Sequence, residues 1–511
     1  MGRVSQPSGK VYLIGAGPGD PGLFTVKGKR CLEEADVVIY DHLANPRLLK
    51  YAKPEAEFIY VGKQAAAHTL SQEEIHRLMT VRAREGKIVA RLKGGDPFIF
   101  GRGGEEAEEL ATAGIPFEVV PGVTSAVAAP AYAGIPLTHR DFTSTVAFIT
   151  GHEDPTKEQT SIAWDKIATG IGTLVFLMGV GQLPEIAAKL IRHGRLPSTP
   201  AAVIRWGTRA DQEVVTGTLA DLPGKCRGMK PPAVIVVGEV VALREKLRWF
   251  EAMPLAGKRI LITRAREQAS TFAQALEAAG AEVVEFPTIA FAPPESWALL
   301  DEAIGRLRDY RWVIFTSSNG VRFFWERLQA AGRDVRDLAG ATVCAIGPAT
   351  AAALRALGIR ADRVPTEFKA EGLLDALGAE DLRGSRVLLA RAAEAREILP
   401  EELTRLGAQV DVVPAYRTVR SDVEAEAIRA MLRDRNIHAV TFTSSSTVKH
   451  FCDLIGEEAP GLLQGVVVAS IGPVTAEMAA RRGIASHVVP DKYTIPALTG
   501  ALVRHFQADR A

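Results

Sequence analysis

Apolar runs of four to six residues recur along the chain, and each is followed by a glycine or proline break and then by a stretch with helical spacing. Examples are V-Y-L-I-G at 11 to 15, V-V-I-Y at 37 to 40 and R-I-L-I-T-R at 259 to 264. Short continuous apolar runs fit strands buried on both faces, and their alternation with amphipathic segments such as V-R-F-F-W-E-R-L (321–328) predicts an α/β architecture with parallel sheets. A break falls at residues 246–257, where a helical pattern ends in F-E-A-M-P-L-A-G-K and a new strand begins. Domains are therefore expected at 1–245 and 258–511, joined by a linker at 246–257. A length of 511 residues agrees with about two to four domains.

Beyond the break the chain repeats itself. L-A-G-K-R-I-L-I-T-R-A (255–265) returns as L-R-G-S-R-V-L-L-A-R-A (382–392), so that Arg264 and Arg391 stand 127 positions apart. The same offset carries Gly280 onto Gly407, Pro287 onto Pro414, and F-T-S-S-N-G-V (315–321) onto F-T-S-S-S-T-V (442–448). A-I-G-P-A-T (345–350) matches S-I-G-P-V-T (470–475) at an offset of 125. This half is read as two related α/β units, about 255–380 and 382–505, facing each other across a cleft. In each copy a strand ends in Thr-Ser-Ser before a helix. Hydroxyls and unpaired N–H groups at a helix start suit a carboxylate or phosphate, although ordinary capping accounts for either copy alone.

The first apolar run leads into G-A-G-P-G-D-P-G (15–22). Its glycines are misplaced for a dinucleotide fingerprint, and Pro18 removes an N–H where a phosphate cradle needs donors. What remains is a tight turn with close backbone approach.

Charge and cysteine narrow the field. The formal charge is +1, which gives no basic footprint for nucleic acid. The cysteines, Cys31, Cys226, Cys344 and Cys452, form no CxxC pair, so they read as small buried hydrophobes, and no metal site is assigned. No signal core or run of about 20 apolar residues occurs, and the expectation is a cytoplasmic protein with no membrane association. H-R-D at 139–141 imitates a kinase loop, but Val146 stands where its asparagine belongs. G-H-E-D at 151–154 lacks the second histidine of a zinc helix.

Two resemblances give these patterns a function. R-L-K-G-G-D-P-F-I-F-G-R-G-G-E-E (91–106), together with G-A-G-P-G-D-P-G, V-P-G-V-T-S-A (120–126), G-I-P-L-T-H-R-D (134–141) and P-P-A-V-I-V-V-G-E-V-V (231–241), closely resembles uroporphyrinogen-III C-methyltransferase over about residues 10–245. The paired T-S-S and I-G-P segments and Y-R-T (416–418) resemble uroporphyrinogen-III synthase over about 255–505.

The first resemblance implies a two-lobed tetrapyrrole-methylase fold that dimerises and binds S-adenosylmethionine, which has no phosphate to hold. Its cofactor contacts fall on Pro18, Gly94, Gly95, Asp96 and Ile99, on Thr124 and Ser125, and on Met178, Gly207 and Ala233. Where the family often has tyrosine this chain has Leu177. Asp96 is suited to accept hydrogen bonds from a ribose or an ammonium. The resemblance makes Asp41 a proton acceptor and Lys63 a proton donor; read alone, they are a helix cap and a surface charge. Arg91, Lys93, Arg102 and Arg140 are candidates for the substrate's carboxylates, or for surface ion pairs.

The second resemblance implies two flavodoxin-like α/β lobes joined by a two-stranded ladder, with F-P-T-I-A-F (286–291) and V-P-A-Y-R-T (413–418) as its strands. It also implies a cofactor-free cyclisation of hydroxymethylbilane, with loss of water and inversion of the last ring. Tyr416 is the candidate for assisting departure of the hydroxyl, its alternative being a buried tyrosine with a satisfied hydroxyl. Thr316, Ser317, Ser318, Thr443, Ser444 and Ser445 would hold acetates and propionates, helped by Arg264 and Arg391. Together the halves imply a bifunctional enzyme that makes uroporphyrinogen III and methylates it to precorrin-2, on the way to sirohaem or cobalamin. Two rivals stay open: a methylase for a later corrinoid or a modified histidine, and a duplicated half that binds without catalysing.

Overall fold

The computed structural model describes residues 9–62, 70–152, 160–366, 370–377, 382–394 and 398–508. The chain folds into two compact units, Met1–Lys258 with Leu276–Glu282, and Arg259–Ala275 with Val283–Ala511. Among the described residues no helix is long and apolar enough to cross a membrane.

The first unit carries two five-stranded sheets. Strands β1 (Lys10–Gly15), β2 (Val37–Tyr40), β3 (Glu57–Tyr60), β4 (Ile88–Lys93) and β5 (Phe117–Val120) form a parallel sheet in the order β3-β2-β4-β1-β5. Both faces are covered, because alternate side chains of one strand enter different cores. Val11 and Leu13 pack with Val37, Ile39 and Val89, whereas Tyr12 and Ile14 pack with Val38, Ala90 and Leu92.

The second sheet contains β6 (Val146–Thr150), β7 (Thr173–Leu177), β8 (Pro200–Arg205), β9 (Glu213–Thr218) and β10 (Ala233–Val237), ordered β6-β7-β10-β8-β9. Only β6 and β7 pair in parallel; the rest is antiparallel. Helix Ser125–Tyr132 follows β5 and lies on this second sheet. Its Ala126 and Ala129 pack against Val175, Ala202, Ile204 and Val234, a contact that needs small side chains on the helix.

The second unit holds β11 (Arg259–Ile262), β12 (Glu282–Glu285), β13 (Ile289–Ala292), β14 (Trp312–Phe315), β15 (Thr342–Ala345), β16 (Arg386–Ala392), β17 (Gln409–Arg420), β18 (Ala439–Phe442) and β19 (Val467–Ser470). They form one sheet ordered β12-β11-β18-β19 and another ordered β13-β17-β16-β14-β15.

The repeat does not map onto these lobes in the expected way. Each sheet takes two parallel strands from the first copy and two from the second. In the first lobe β11 pairs with β18, Ile260 opposite Ala439; in the second β14 pairs with β16, Trp312 opposite Val387. Adding 127 to Ile260 gives Val387, and adding it to Trp312 gives Ala439, so the two registers are the same pairing with the copies exchanged. Matching hydrogen bonds from Glu282 N to Lys258 O and from Gln409 N to Ser385 O, both 2.9 Å, follow the same exchange. A parallel pair needs a long crossover, and between β11 and β18 it carries the strands of the other lobe.

The two-stranded ladder is present but displaced from its expected place. β13 pairs antiparallel with the end of β17, Ile289 opposite Arg420 and Ala292 opposite Arg417. Residues 409–416 instead pair in parallel with β16, with an irregularity between Arg391 and Ala392 that leaves Tyr416 opposite Ala392. Pro287, which cannot donate to a ladder, lies between β12 and β13, whereas Pro414 sits in the parallel ladder opposite Arg391, beside the irregularity.

Cys31, Cys226 and Cys344 are buried and Cys452 is half-buried, and all four are free thiols.

Candidate active sites

In the first unit, the loops at the carboxyl ends of β1, β4 and β5 are locked to one another through glycine. Gly17 and Gly95 exchange backbone hydrogen bonds of 3.1 and 2.7 Å. A Cβ on Gly15 would stand 2.5 Å from the Cα of Gly122, and one on Gly122 would stand 2.3 Å from the Gly95 carbonyl oxygen. Gly94 is pressed against Leu43 in the loop after β2, where an added Cβ would lie 2.4 Å from that residue's Cβ. No side chain fits at these crossings. The close approach read from the sequence is what the glycines provide.

Asp96 fixes this junction. Its Oδ2 accepts from Gly122 N at 3.0 Å and its Oδ1 from Phe98 N at 2.8 Å, so each oxygen already holds one backbone donor. Thr124 caps helix Ser125–Tyr132, accepting from Ala126 N at 3.3 Å. Pro18, Ile99 and Ser125 are half-buried around these loops.

The remaining cofactor candidates lie at one end of the second sheet. Val234 pairs with Leu177 and Ala233 with Arg205, which brings Ala233 beside Met178 at the end of β7 and near Gly207 just past β8. A Cβ on Gly207 would stand 2.5 Å from that of Ala129, so helix Ser125–Tyr132 connects this group to the first sheet's loops. Met178 is 50% exposed and has φ 56°. Of the six non-glycine residues with positive φ among those described, Phe100, Arg102, Met178, Trp206 and Thr208 sit in these loops. Strain of this kind, about 1–3 kcal/mol per residue, collects where a site needs a particular backbone.

Sequence reasoning missed Asp20, which joins the two sheets. Its Oδ2 accepts from the Tyr132 hydroxyl at 2.6 Å and its N–H donates to Thr208 Oγ1 at 3.1 Å. Burial and the neighbouring carboxylate push the Tyr132 phenol well above its usual range. The ring of His42 meets that of Trp206 edge-on at 6.1 Å, a second tie between the loops after β2 and β8.

Asp41 lies beside a buried charge cluster. Its Oδ1 accepts from Leu43 N at 3.1 Å, and its Oδ2 is 3.5 Å from an Arg91 guanidinium nitrogen. Arg91 and Lys93 do not reach into solvent as carboxylate partners would. Both are buried and converge on Glu106 Oε1, at 3.3 and 2.7 Å, with Gln72 Nε2 at 3.1 Å. Glu106 is 0% exposed, and its Oε2 has no partner among the described residues. Burial, and then the Arg91 charge, hold the Lys93 pKa below its usual range. Their alternate placement on β4 turns both inward, which the lone R-L-K sequence could not reveal. Arg102 is exposed enough to fork onto Glu105, and Arg140 is exposed. Lys63 lies outside the described residues.

In the second unit, Ser317 and Ser444 are helix caps. Ser317 Oγ accepts from Gly320 N at 3.0 Å and Ser444 Oγ from Thr447 N at 3.2 Å. Thr316, Ser318, Thr443 and Ser445 are half-buried beside them. Tyr416 has its hydroxyl 3.0 Å from Ser317 Oγ, and its ring is stacked on Phe323 and meets Phe291 edge-on. Burial raises its pKa, opposed by hydrogen bonds from Ser317 and Asn319. Tyr416 is thus a buried ring whose hydroxyl meets the start of a Thr-Ser-Ser helix. Arg391 is buried in β16, and burial lowers the pKa of Arg264, which follows β11.

Comparison with known proteins places both architectures. The family described as Tetrapyrrole (Corrin/Porphyrin) Methylases matches residues 10–223, and that described as Uroporphyrinogen-III synthase HemD matches residues 270–500. A Ruminiclostridium josui protein, "Porphyrin biosynthesis protein HemD", is 40% identical over 97% of this chain and 98% of its own. The chain belongs to the HemD porphyrin-biosynthesis family, in the form that carries a methylase domain ahead of the synthase domain.

Other relatives of this HemD-family chain cover its first half. The "S-adenosyl-L-methionine-dependent uroporphyrinogen III methyltransferase" of Methanosarcina barkeri is 55% identical over 48% of this chain and 96% of its own length. The "Uroporphyrinogen-III C-methyltransferase" of Priestia megaterium is 54% identical over 46% and 98%. Among solved structures, uroporphyrin-III C-methyltransferase from Thermus thermophilus complexed with S-adenosyl homocysteine is 43% identical, with a TM-score of 0.40, over 46% of this chain and 100% of that one.

Proposed function

We propose that this protein catalyses two consecutive steps of tetrapyrrole synthesis. The synthase half cyclises hydroxymethylbilane to uroporphyrinogen III, losing one water and inverting ring D. The methylase half then methylates that product at C2 and C7, consuming two molecules of S-adenosylmethionine, to give precorrin-2 for sirohaem or cobalamin. The observation that carries this reading is the presence of both domains in one chain, since the product of one is the substrate of the other.

The first unit suits the cofactor. Pro18 offers no N–H for a phosphate, while Gly94, Gly95, Gly207 and Ala233 leave backbone and small surfaces open to an uncharged adenosine. Asp96, Ile99, Thr124, Ser125 and Met178 would complete the binding surface. When bound, S-adenosylmethionine supplies a methyl group made electrophilic by its sulfonium. Asp41 would accept the proton that the methylated ring carbon loses, with Arg91 keeping its carboxylate oriented, and Lys63 would donate. Holding the reacting carbon in line supplies most of the rate. Arg102 and Arg140 would meet substrate carboxylates from the surface, and the methylase half would form a homodimer.

In the second unit Tyr416 would protonate the departing hydroxyl. Thr316, Ser318, Thr443 and Ser445, with the capping serines and Arg264 and Arg391, would bind the acidic side chains.

The test supplies the whole protein with hydroxymethylbilane and S-adenosylmethionine and follows precorrin-2. Asp41→Asn is expected to stop at uroporphyrinogen III, and Tyr416→Phe to leave only the spontaneous type I isomer. Wild-type protein that yields only type I product would make the duplicated half a binding module; methylation of another corrinoid but not uroporphyrinogen III would reassign the methylase.

A further inference from the structure

Asp41, Arg91 and Lys93 share one face of the first sheet. Ile39 of β2 stands opposite Arg91 of β4, and the same register carried two residues further sets Asp41 beside Lys93. By that placement the Lys93 ammonium is the natural counterion of Asp41. It goes elsewhere: Lys93 Nζ donates to Glu106 Oε1 at 2.7 Å, on the helix Gly103–Thr112.

Glu106 also sets the angle of Arg91. The guanidinium donates from Nε to Glu106 Oε1 at 3.3 Å and from Nη1 to the Leu92 carbonyl oxygen at 3.2 Å, with Nη2 left facing Asp41 Oδ2 at 3.5 Å. A planar fork held at two nitrogens has its third one aimed. Gln72 Nε2 adds a further donor to the same Glu106 oxygen at 3.1 Å. The side chains of Arg91, Lys93 and Glu106 are 5, 6 and 0% exposed, whereas that of Asp41 is 26% exposed. Of these four charged groups, only Asp41 opens outward.

Two cations and two anions balance in this cluster. Without the Glu106 charge, both buried cations would have Asp41 as their shared counterion. A carboxylate gripped by two cations is strongly favoured in its ionised form and takes up a proton less readily.

We propose that Glu106 is a positioning residue for Asp41: it draws the Lys93 ammonium away and fixes the Arg91 guanidinium, so that Asp41 pairs with one of the two cations and stays basic enough to accept a proton. The inference rests on the reading of Asp41 as proton acceptor. In that reaction the methyl carbon leaves sulfur, the bonding pair stays on sulfur as a neutral thioether, and the macrocycle supplies the pair for the new carbon–carbon bond. The macrocycle, left cationic, gives a proton to the Asp41 carboxylate. Glu106, fully buried, acts on this step only through the charges it holds.

The experiment measures kcat and KM for methylation of uroporphyrinogen III by the full chain, with S-adenosylhomocysteine affinity and melting temperature for every variant. Glu106→Gln keeps the shape and an accepting oxygen but removes the charge. It is expected to lower kcat about 10- to 100-fold with KM and S-adenosylhomocysteine affinity unchanged. Lys93→Met removes the competing cation, and in that background Glu106→Gln is expected to cost less than about threefold. The paired variant restores charge balance, so its comparison with Lys93→Met decides the matter even where Glu106→Gln alone is too unstable to assay. If Asp41→Asn methylates at the wild-type rate, the underlying reading of Asp41 fails. If Asp41→Asn is inactive while Glu106→Gln keeps the wild-type kcat, or lowers it 10-fold or more in the Lys93→Met background too, the role of Glu106 is overturned and that of Asp41 stands. A loss confined to KM or to S-adenosylhomocysteine affinity would overturn it as well, making the cluster a support for the binding loops.

Discussion

Asp96 Oδ2 accepts the backbone N–H of Gly122 at 3.0 Å, tying the loop after β4 to the loop after β5. A hydrogen bond to a charged group contributes about 1.5–3 kcal/mol. Asp96→Ala is therefore expected to weaken S-adenosylhomocysteine binding about 10- to 100-fold, and Asp96→Asn, which keeps an accepting oxygen, by much less. Titration calorimetry checks this; equal affinities in both variants would count against the latch.

At the same crossing, Gly122→Ala would drive a Cβ to 2.3 Å from a backbone carbonyl oxygen that has no flexible end to yield. Overpacking of this kind typically costs about 1–3 kcal/mol. Methylation by the full chain is expected to be lost, while formation of the type III isomer continues. Retained methylation would show that the loops part without cost.

Glu106 neutralises Arg91 and Lys93 below the surface. Removing one partner from a buried charged group typically costs about 3–5 kcal/mol, so Glu106→Gln should lower stability by about that much in urea unfolding. The pH dependence has a definite sign. The Lys93 pKa is already held down, so the cost of its charge is fully present below its folded pKa and is relieved as pH rises towards the unfolded value. The deficit of Glu106→Gln should therefore shrink at alkaline pH; a deficit that grew there would exclude Lys93 as its source.

Glu118 behaves oppositely. Hydrogen bonds from Lys10 and Lys27 hold its pKa at about 2, so their contribution is present above about 4.5 and is lost as pH falls through about 2. The pairs are partly exposed, and Glu118→Gln should cost about 1 kcal/mol or less at pH 7. The difference from wild type should shrink as pH falls towards 2 and vanish below it; an unchanged difference would mean that packing, not charge, was lost.

How far the sequence reaches is visible in particular residues. Gly15 and Gly17 announced close backbone approach because only glycine permits it, and that property is local. Glu106 gave no such signal: in G-G-E-E it resembles an acidic first helical turn, and only the packing of helix Gly103–Thr112 against β4 puts it at 0% exposure. The 127-residue offset identified equivalent segments but not their partners, because Ile260 is equally suited to lie beside Trp312 of its own copy or Ala439 of the other. Tertiary pairing chose Ala439. The ladder moved for a similar reason, with Tyr416 held by its neighbour Ala392 in the parallel sheet.

That choice of partners also sets an order of assembly. A ribosome releases β11 and β12 early, yet the strands that complete their sheet, β18 and β19, emerge only after the whole intervening lobe. The first lobe to be started is the last to be finished, and its opening strands wait with unpaired edges while about 150 residues are made. A stop codon shortly before residue 439 would therefore damage the oldest part of the second unit and spare the newer one.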